Sequence, residues 1–79
     1  MYRYKTKGTC SSEIEILLNG SMIETVVFSG GCHGNLQGIS ALVKGMPVEE
    51  AIEKLSGIRC GAKDTSCPDQ LAKALQETL

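Results

Sequence analysis

Four cysteines, Cys10, Cys32, Cys60 and Cys67, are the residues of this chain whose type and number could do chemistry. The last two bracket the run Cys60-Gly-Ala-Lys-Asp-Thr-Ser-Cys67, which continues as Pro-Asp-Gln-Leu. Ser66 followed three residues later by Asp69 resembles a capping box. Pro68 suits a first helical turn, and Leu71, Ala72 and Leu75 supply an apolar stripe. Cys67 is therefore expected at a helix N-terminus, where exposed amides and the positive end of the macrodipole favour an anion. For a cysteine that anion is the thiolate, the form that binds metals or attacks disulfides. Four thiols match the ligand count of a closed tetrahedral zinc site, and thiolates also hold iron–sulfur clusters. The spacing C-x21-C-x27-C-x6-C contains no C-x2-C pair, so the metal reading rests on count and on placement in turns. Redox-active or disulfide-paired thiols are the second reading, and small buried core residues the third.

Around the cysteines stand residues with weaker claims. His33 adjoins Cys32 and is a possible further ligand, although four thiols already complete a zinc site, and a turn histidine facing solvent is the plainer reading. Asp64 and Asp69 could serve as hydrogen-bond acceptors or ligands near Cys67, or simply cap a helix. Arg59 and Lys63 could offset the charge of a thiolate site or serve solubility alone. The run Gly30-Gly-Cys-His-Gly-Asn35 precedes a helix as a phosphate cradle would, but lacks a P-loop ending or a complete G-x-G-x-x-G.

These residues must be positioned by the elements between them. Tyr2, Tyr4 and Thr6 alternate with Arg3, Lys5 and Lys7, the period of a half-buried strand with a basic outer face. Glu13 to Leu18 and Ser21 to Phe28 alternate on either side of Asn19-Gly20, a strong hairpin signal. A two-residue Asn-Gly turn predicts Ile16 opposite Ile23, Ile14 opposite Thr25 and Glu15 opposite Glu24. That acidic pair would need the basic face of the first strand beside it. Helical spacing then takes over. Asn35 is the expected N-cap of a helix burying Leu36, Ile39, Leu42 and Val43 and ending at Gly45. A second helix starts at Pro47, carries Val48, Ala51, Ile52 and Leu55, and stops at Gly57; the third runs from Cys67 to the end. Three strands followed by three helices predict an α+β fold, with an antiparallel three-stranded sheet covered on one face. All four cysteines fall in connections or at element ends, where loops at one edge can converge.

Seventy-nine residues make one domain over 1–79 with a marginal core, so a metal, a disulfide or a partner is a reasonable staple. An apolar fraction of 42% and a charged fraction of 22% argue against disorder. The formal net charge of −1 and scattered basic residues leave no footprint for nucleic acid or an anionic membrane surface. The N-terminal run lacks an apolar signal core, and no apolar stretch approaches the roughly 18 residues of a membrane span. A cytoplasmic protein is expected, in which reducing conditions favour metal or redox chemistry over structural disulfides. Nothing in the pattern sets an oligomeric state.

Thr65-Ser-Cys-Pro-Asp69 is the motif after which the TSCPD domain is called. The whole chain resembles the small four-cysteine proteins of that family, through Gly31-Cys-His-Gly-Asn35, the Gly-Ile-Ser stretch at Gly38, Val43-Lys-Gly45 and Thr65 to Ala72. Related domains form the C-terminal part of many adenosylcobalamin-dependent ribonucleotide reductases. The resemblance therefore implies a link to deoxynucleotide synthesis and a larger enzyme, such as a ribonucleotide reductase, as partner. A second similarity is to the U-type scaffold on which iron–sulfur clusters are assembled. There a three-stranded sheet also precedes helices, and the segment Leu42-Val-Lys-Gly-Met-Pro-Val-Glu-Glu-Ala51 is close to the scaffold's own. By that similarity Cys10, Cys32 and Cys67 share one site. The scaffold's aspartate two residues after its first cysteine is Ser12 here, and the histidine before its last cysteine is Ser66. Cys60 would then stand in as fourth ligand. What the two resemblances imply together is a non-enzymatic module holding zinc or an iron–sulfur cluster on Cys10, Cys32, Cys60 and Cys67, with an accessory thiol-redox role beside a ribonucleotide reductase as the alternative.

Overall fold

Alternation builds the first half of the chain and helical periodicity the second. The computed structural model describes residues 2–9, 11–31 and 33–79, and His33 in its backbone only. Strand β1 is Tyr2–Lys5, β2 is Ser11–Asn19 and β3 is Met22–Gly30. They form one antiparallel sheet in the order β1-β2-β3, the expected meander. Helices α1 (His33–Val43), α2 (Val48–Leu55) and α3 (Cys67–Glu77) follow, so the α+β arrangement of three strands and then three helices holds.

The hairpin differs from its expected register. Asn19 pairs with Met22, which makes Gly20 and Ser21 the turn residues. Gly20 has φ of 62° and no residue other than glycine has positive φ among the described residues, the pattern of a type II′ turn with glycine at its first central position. The pairing then slips between Leu18 and Leu17: Ile16 faces Val26, Glu15 faces Val27 and Ile14 faces Phe28. Glu24 is the extra residue of this bulge, so the predicted Ile16–Ile23, Ile14–Thr25 and Glu15–Glu24 pairs do not form. The physical reason lies in the apolar pattern of β3. Ile23 and Val26 are three apart and would point to opposite faces of a regular strand, whereas the bulge lets both turn inward, and both are buried. Glu15 meets Arg3 instead of Glu24, and Glu13 stands opposite Lys5. The basic face of β1 thus balances acids of β2, as expected. The Arg3–Glu15 contact is 3.5 Å with the arginine largely exposed, so Arg3→Ala is expected to cost no more than about 1 kcal/mol in chemical denaturation.

Ile14, Ile16, Ile23 and Val26 from the sheet meet Val43, Val48, Ala51, Leu71, Ala74 and Leu75 from the helices in one buried cluster. Tyr2 and Tyr4 pack at its edge, and the Tyr2 hydroxyl donates to the Glu77 carboxylate, joining β1 to the end of α3. Three helical expectations are corrected. α1 begins at His33, ahead of Asn35, and Leu42 is 76% exposed while Leu36 and Val43 are buried. The helix packs chiefly along β3, so its apolar stripe is narrower than the sequence suggested. Leu42→Gln should leave the melting temperature within a degree or two, since no packing is lost. Pro47 occupies the N-cap of α2 rather than its first turn.

Candidate functional site

The 57–70 segment is held by a hydrogen-bonded latch in which each residue around Cys67 has a task. Ser66 caps α3: its Oγ accepts from the Asp69 N–H at 3.1 Å and donates to the Ile58 carbonyl at 2.7 Å. Pro68 follows Cys67 in the first turn, where a missing N–H costs nothing. Asp69 does not close the capping box by reaching back to Ser66. Its carboxylate accepts the Gly57 N–H at 2.7 Å and the Thr65 hydroxyl, with Lys73 Nζ at 3.6 Å. Gln70 Nε2 donates to Thr65 Oγ1 at 3.0 Å, while its Oε1 accepts the Lys7 N–H at 3.1 Å. Asp69 is only 6% exposed. Burial pushes its carboxyl up, but the hydrogen bonds from Thr65 and Gly57 and the charge of Lys73 outweigh it, so the group sits below the ordinary carboxylate range.

This latch fixes Cys67 as the first residue of α3, where the sequence places it. Its Sγ lies 3.1 Å from Ser11 Oγ, a contact that a thiolate can accept when the hydroxyl is the donor. Cys60 is exposed and sits in a tight loop, with its N–H on the Thr65 carbonyl at 3.2 Å and its own carbonyl accepting the Lys63 N–H at 3.0 Å. Cys60 and Cys67 line the same cavity, together with Thr9, Arg59 and Lys63. Gly31 closes the arrangement. It has φ of 80°, and a Cβ there would lie 2.8 Å from a Leu36 methyl and 3.1 Å from the Ser11 backbone nitrogen. Gly31→Ala combines left-handed backbone strain with that clash and is expected to cost roughly 1–2 kcal/mol in chemical denaturation.

Of the four predicted ligands, Cys60 and Cys67 are thus brought to one cavity, and Cys10 and Cys32 lie outside the described residues, as does the side chain of His33. The residues flanking the two undescribed cysteines do meet Cys67 and one another: Thr9 on the cavity wall, Ser11 against the Cys67 sulfur, and Gly31 against Ser11. Among the described residues no group of three or more His, Cys, Asp or Glu side chains is placed to hold a metal ion. Asp64 is exposed, and Asp69 is engaged in the latch. Ser11, Gln70 and Gly57 are contributors that the sequence reading did not single out. Ser11 carried a weak signal as the polar neighbour of Cys10, whereas Gln70 and Gly57 act only through tertiary contacts. Among the described residues no helix is long and apolar enough to cross a membrane.

The family model described as TSCPD domain matches residues 2–79. No curated protein and no solved structure matches the chain.

Proposed function

The chain belongs to the TSCPD domain family, and from that premise we propose that it is a small metal-binding module, non-enzymatic by itself, whose ligands are Cys10, Cys32, Cys60 and Cys67. The observation that carries the reading is the meeting of cysteine-bearing segments at Cys67: Ser11 touches its sulfur, Cys60 shares its cavity wall, and Gly31 packs on Ser11. The donor set is all thiolate, which suits zinc or an iron–sulfur cluster over magnesium or calcium. Bound zinc would supply cross-linking of the loops, and a cluster would supply a one-electron carrier as well. The chain's own part is to hold Cys67 through the Ser66 cap and the Asp69 latch. Elemental analysis of protein purified without added metal tests this. About one zinc per chain, or iron with inorganic sulfide, is expected, and the content should fall in both Cys60→Ser and Cys67→Ser.

The shared wall also favours a second reading. Cys60 is exposed and faces the same cavity as Cys67, so the two would act as a dithiol pair in an accessory of a larger enzyme such as a ribonucleotide reductase. A metal-free protein whose Cys60–Cys67 disulfide forms reversibly at a defined potential would select this reading over the first.

A further inference from the structure

A cavity of about 440 Å3 lies between the first turns of α1, the 58–63 loop and the start of α3, a volume in the range of small-molecule sites. Beside the thiols of Cys60 and Cys67, its wall has two chemistries. Leu36, Ile39, Ile58 and Pro68 form an apolar side, and Ile58 is 41% exposed although it is a large hydrophobic residue. Arg59 and Lys63 form the other side. No acidic side chain is among the described residues of the wall, and neither cation forms an ion pair among the described residues. In a chain of formal net charge −1, two uncompensated cations beside an apolar wall are a local reversal of sign. A neutral apolar molecule would leave both cations without a partner. A bare inorganic anion would leave the apolar wall wet. The arrangement is satisfied by one molecule that has both parts, since a guanidinium takes a carboxylate or phosphate through paired hydrogen bonds and an ammonium adds a point charge.

We propose that this cavity binds a small amphipathic anion, with its apolar body on Leu36, Ile39 and Ile58 and its carboxylate or phosphate head between Arg59 and Lys63. The proposal goes beyond metal binding: Cys60 and Cys67 line the same cavity, but the proposal rests on its apolar side and its two cations, not on the thiols. Ile58 and Arg59 are both exposed side chains, so substitutions there are expected to leave the fold intact.

The test is a calorimetric titration of the as-purified full chain with octanoate, octyl phosphate and octanamide, each below its aggregation concentration, with amide NMR shifts to locate the site. One or both anions should bind at one per chain and shift the amides of residues 36–39 and 58–63, the better of the two identifying the head group. Octanamide should bind at least tenfold more weakly, and Arg59→Ala and Ile58→Ser should each weaken the anion at least fivefold. Equal binding of octanamide, indifference to Arg59→Ala, or shifts elsewhere in the protein would overturn the proposal, as would binding by none of the three. The same anion binding in protein shown to hold no metal would support this proposal on its own, whatever the outcome for the metal reading.

Discussion

Removing metal from the reduced protein is expected to lower its melting temperature by well over about 10 °C, with Cys67→Ser lowering it nearly as far and His33→Ala hardly at all. The size of the effect follows from the size of the chain. A buried cluster of ten residues among those described, in a chain of 79, leaves a small surplus over the entropy of ordering. Apparent binding energies of structural zinc run to roughly 10 kcal/mol or more. In a domain of this length each kcal/mol moves the midpoint by about 4–8 °C, so even a fraction of that energy exceeds the shift expected. The loss should be local first. The 57–66 loop holds no residue of the buried cluster and is tied down by the Asp69 and Ser66 hydrogen bonds, with Cys60 its one proposed metal ligand. Hydrogen exchange should therefore report faster opening at residues 57–66 after chelation, ahead of the β2–β3 hairpin. Chelated, reduced protein that melts within a degree or two of the untreated protein would remove the structural metal from the account and leave the dithiol reading.

Asp69→Ala is expected to cost about 2–3 kcal/mol in chemical denaturation, larger than any surface change considered above. The alanine leaves the Gly57 N–H and the Thr65 hydroxyl facing a lost acceptor in a part-buried setting, and hydrogen bonds to a charged group are worth about 1.5–3 kcal/mol. Asp69→Asn keeps the shape and one acceptor and should cost less. Acid gives the sign. Because the folded-state carboxyl lies below its unfolded value of 3.8, its contribution is present in full above that value and is lost as pH falls through the folded one. The stability gap between the protein and Asp69→Asn should therefore narrow as pH drops below about 4. A gap that stays constant from pH 7 to pH 3 would mean that the carboxylate's charge does nothing for the latch.

How much of this was legible in the sequence depends on how far apart the cooperating residues are. Ser66, Pro68 and Asp69 act within one helical turn, so the start of α3 and the place of Cys67 could be read from local chemistry. The three-strand, three-helix order was legible for the same reason, since periods of two and of 3.6 residues are local signals. Register was not. Asn19-Gly20 marks a turn, but whether those two residues or Gly20-Ser21 occupy its centre depends on where Ile23 and Val26 find the core, and the bulge at Glu24 answers that through tertiary packing. Leu42 misled in the same manner, because helical spacing says which residues share a face but not how wide a face the sheet covers. The use of Asp69 to hold Gly57, twelve residues earlier, and of Gln70 to hold Lys7 across the fold had no local signal at all.

The most direct test of the central claim is a cobalt(II) titration of the reduced, metal-free chain, followed by absorption and then displaced with zinc. Four thiolates on one ion predict the intense bands of tetrahedral cobalt–thiolate ligation, saturating at one equivalent per chain, bleached by zinc, and weakened in Cys10→Ser, Cys32→Ser, Cys60→Ser and Cys67→Ser alike. Cobalt that binds without thiolate bands, or bands untouched by substitution of any one of the four cysteines, would contradict it.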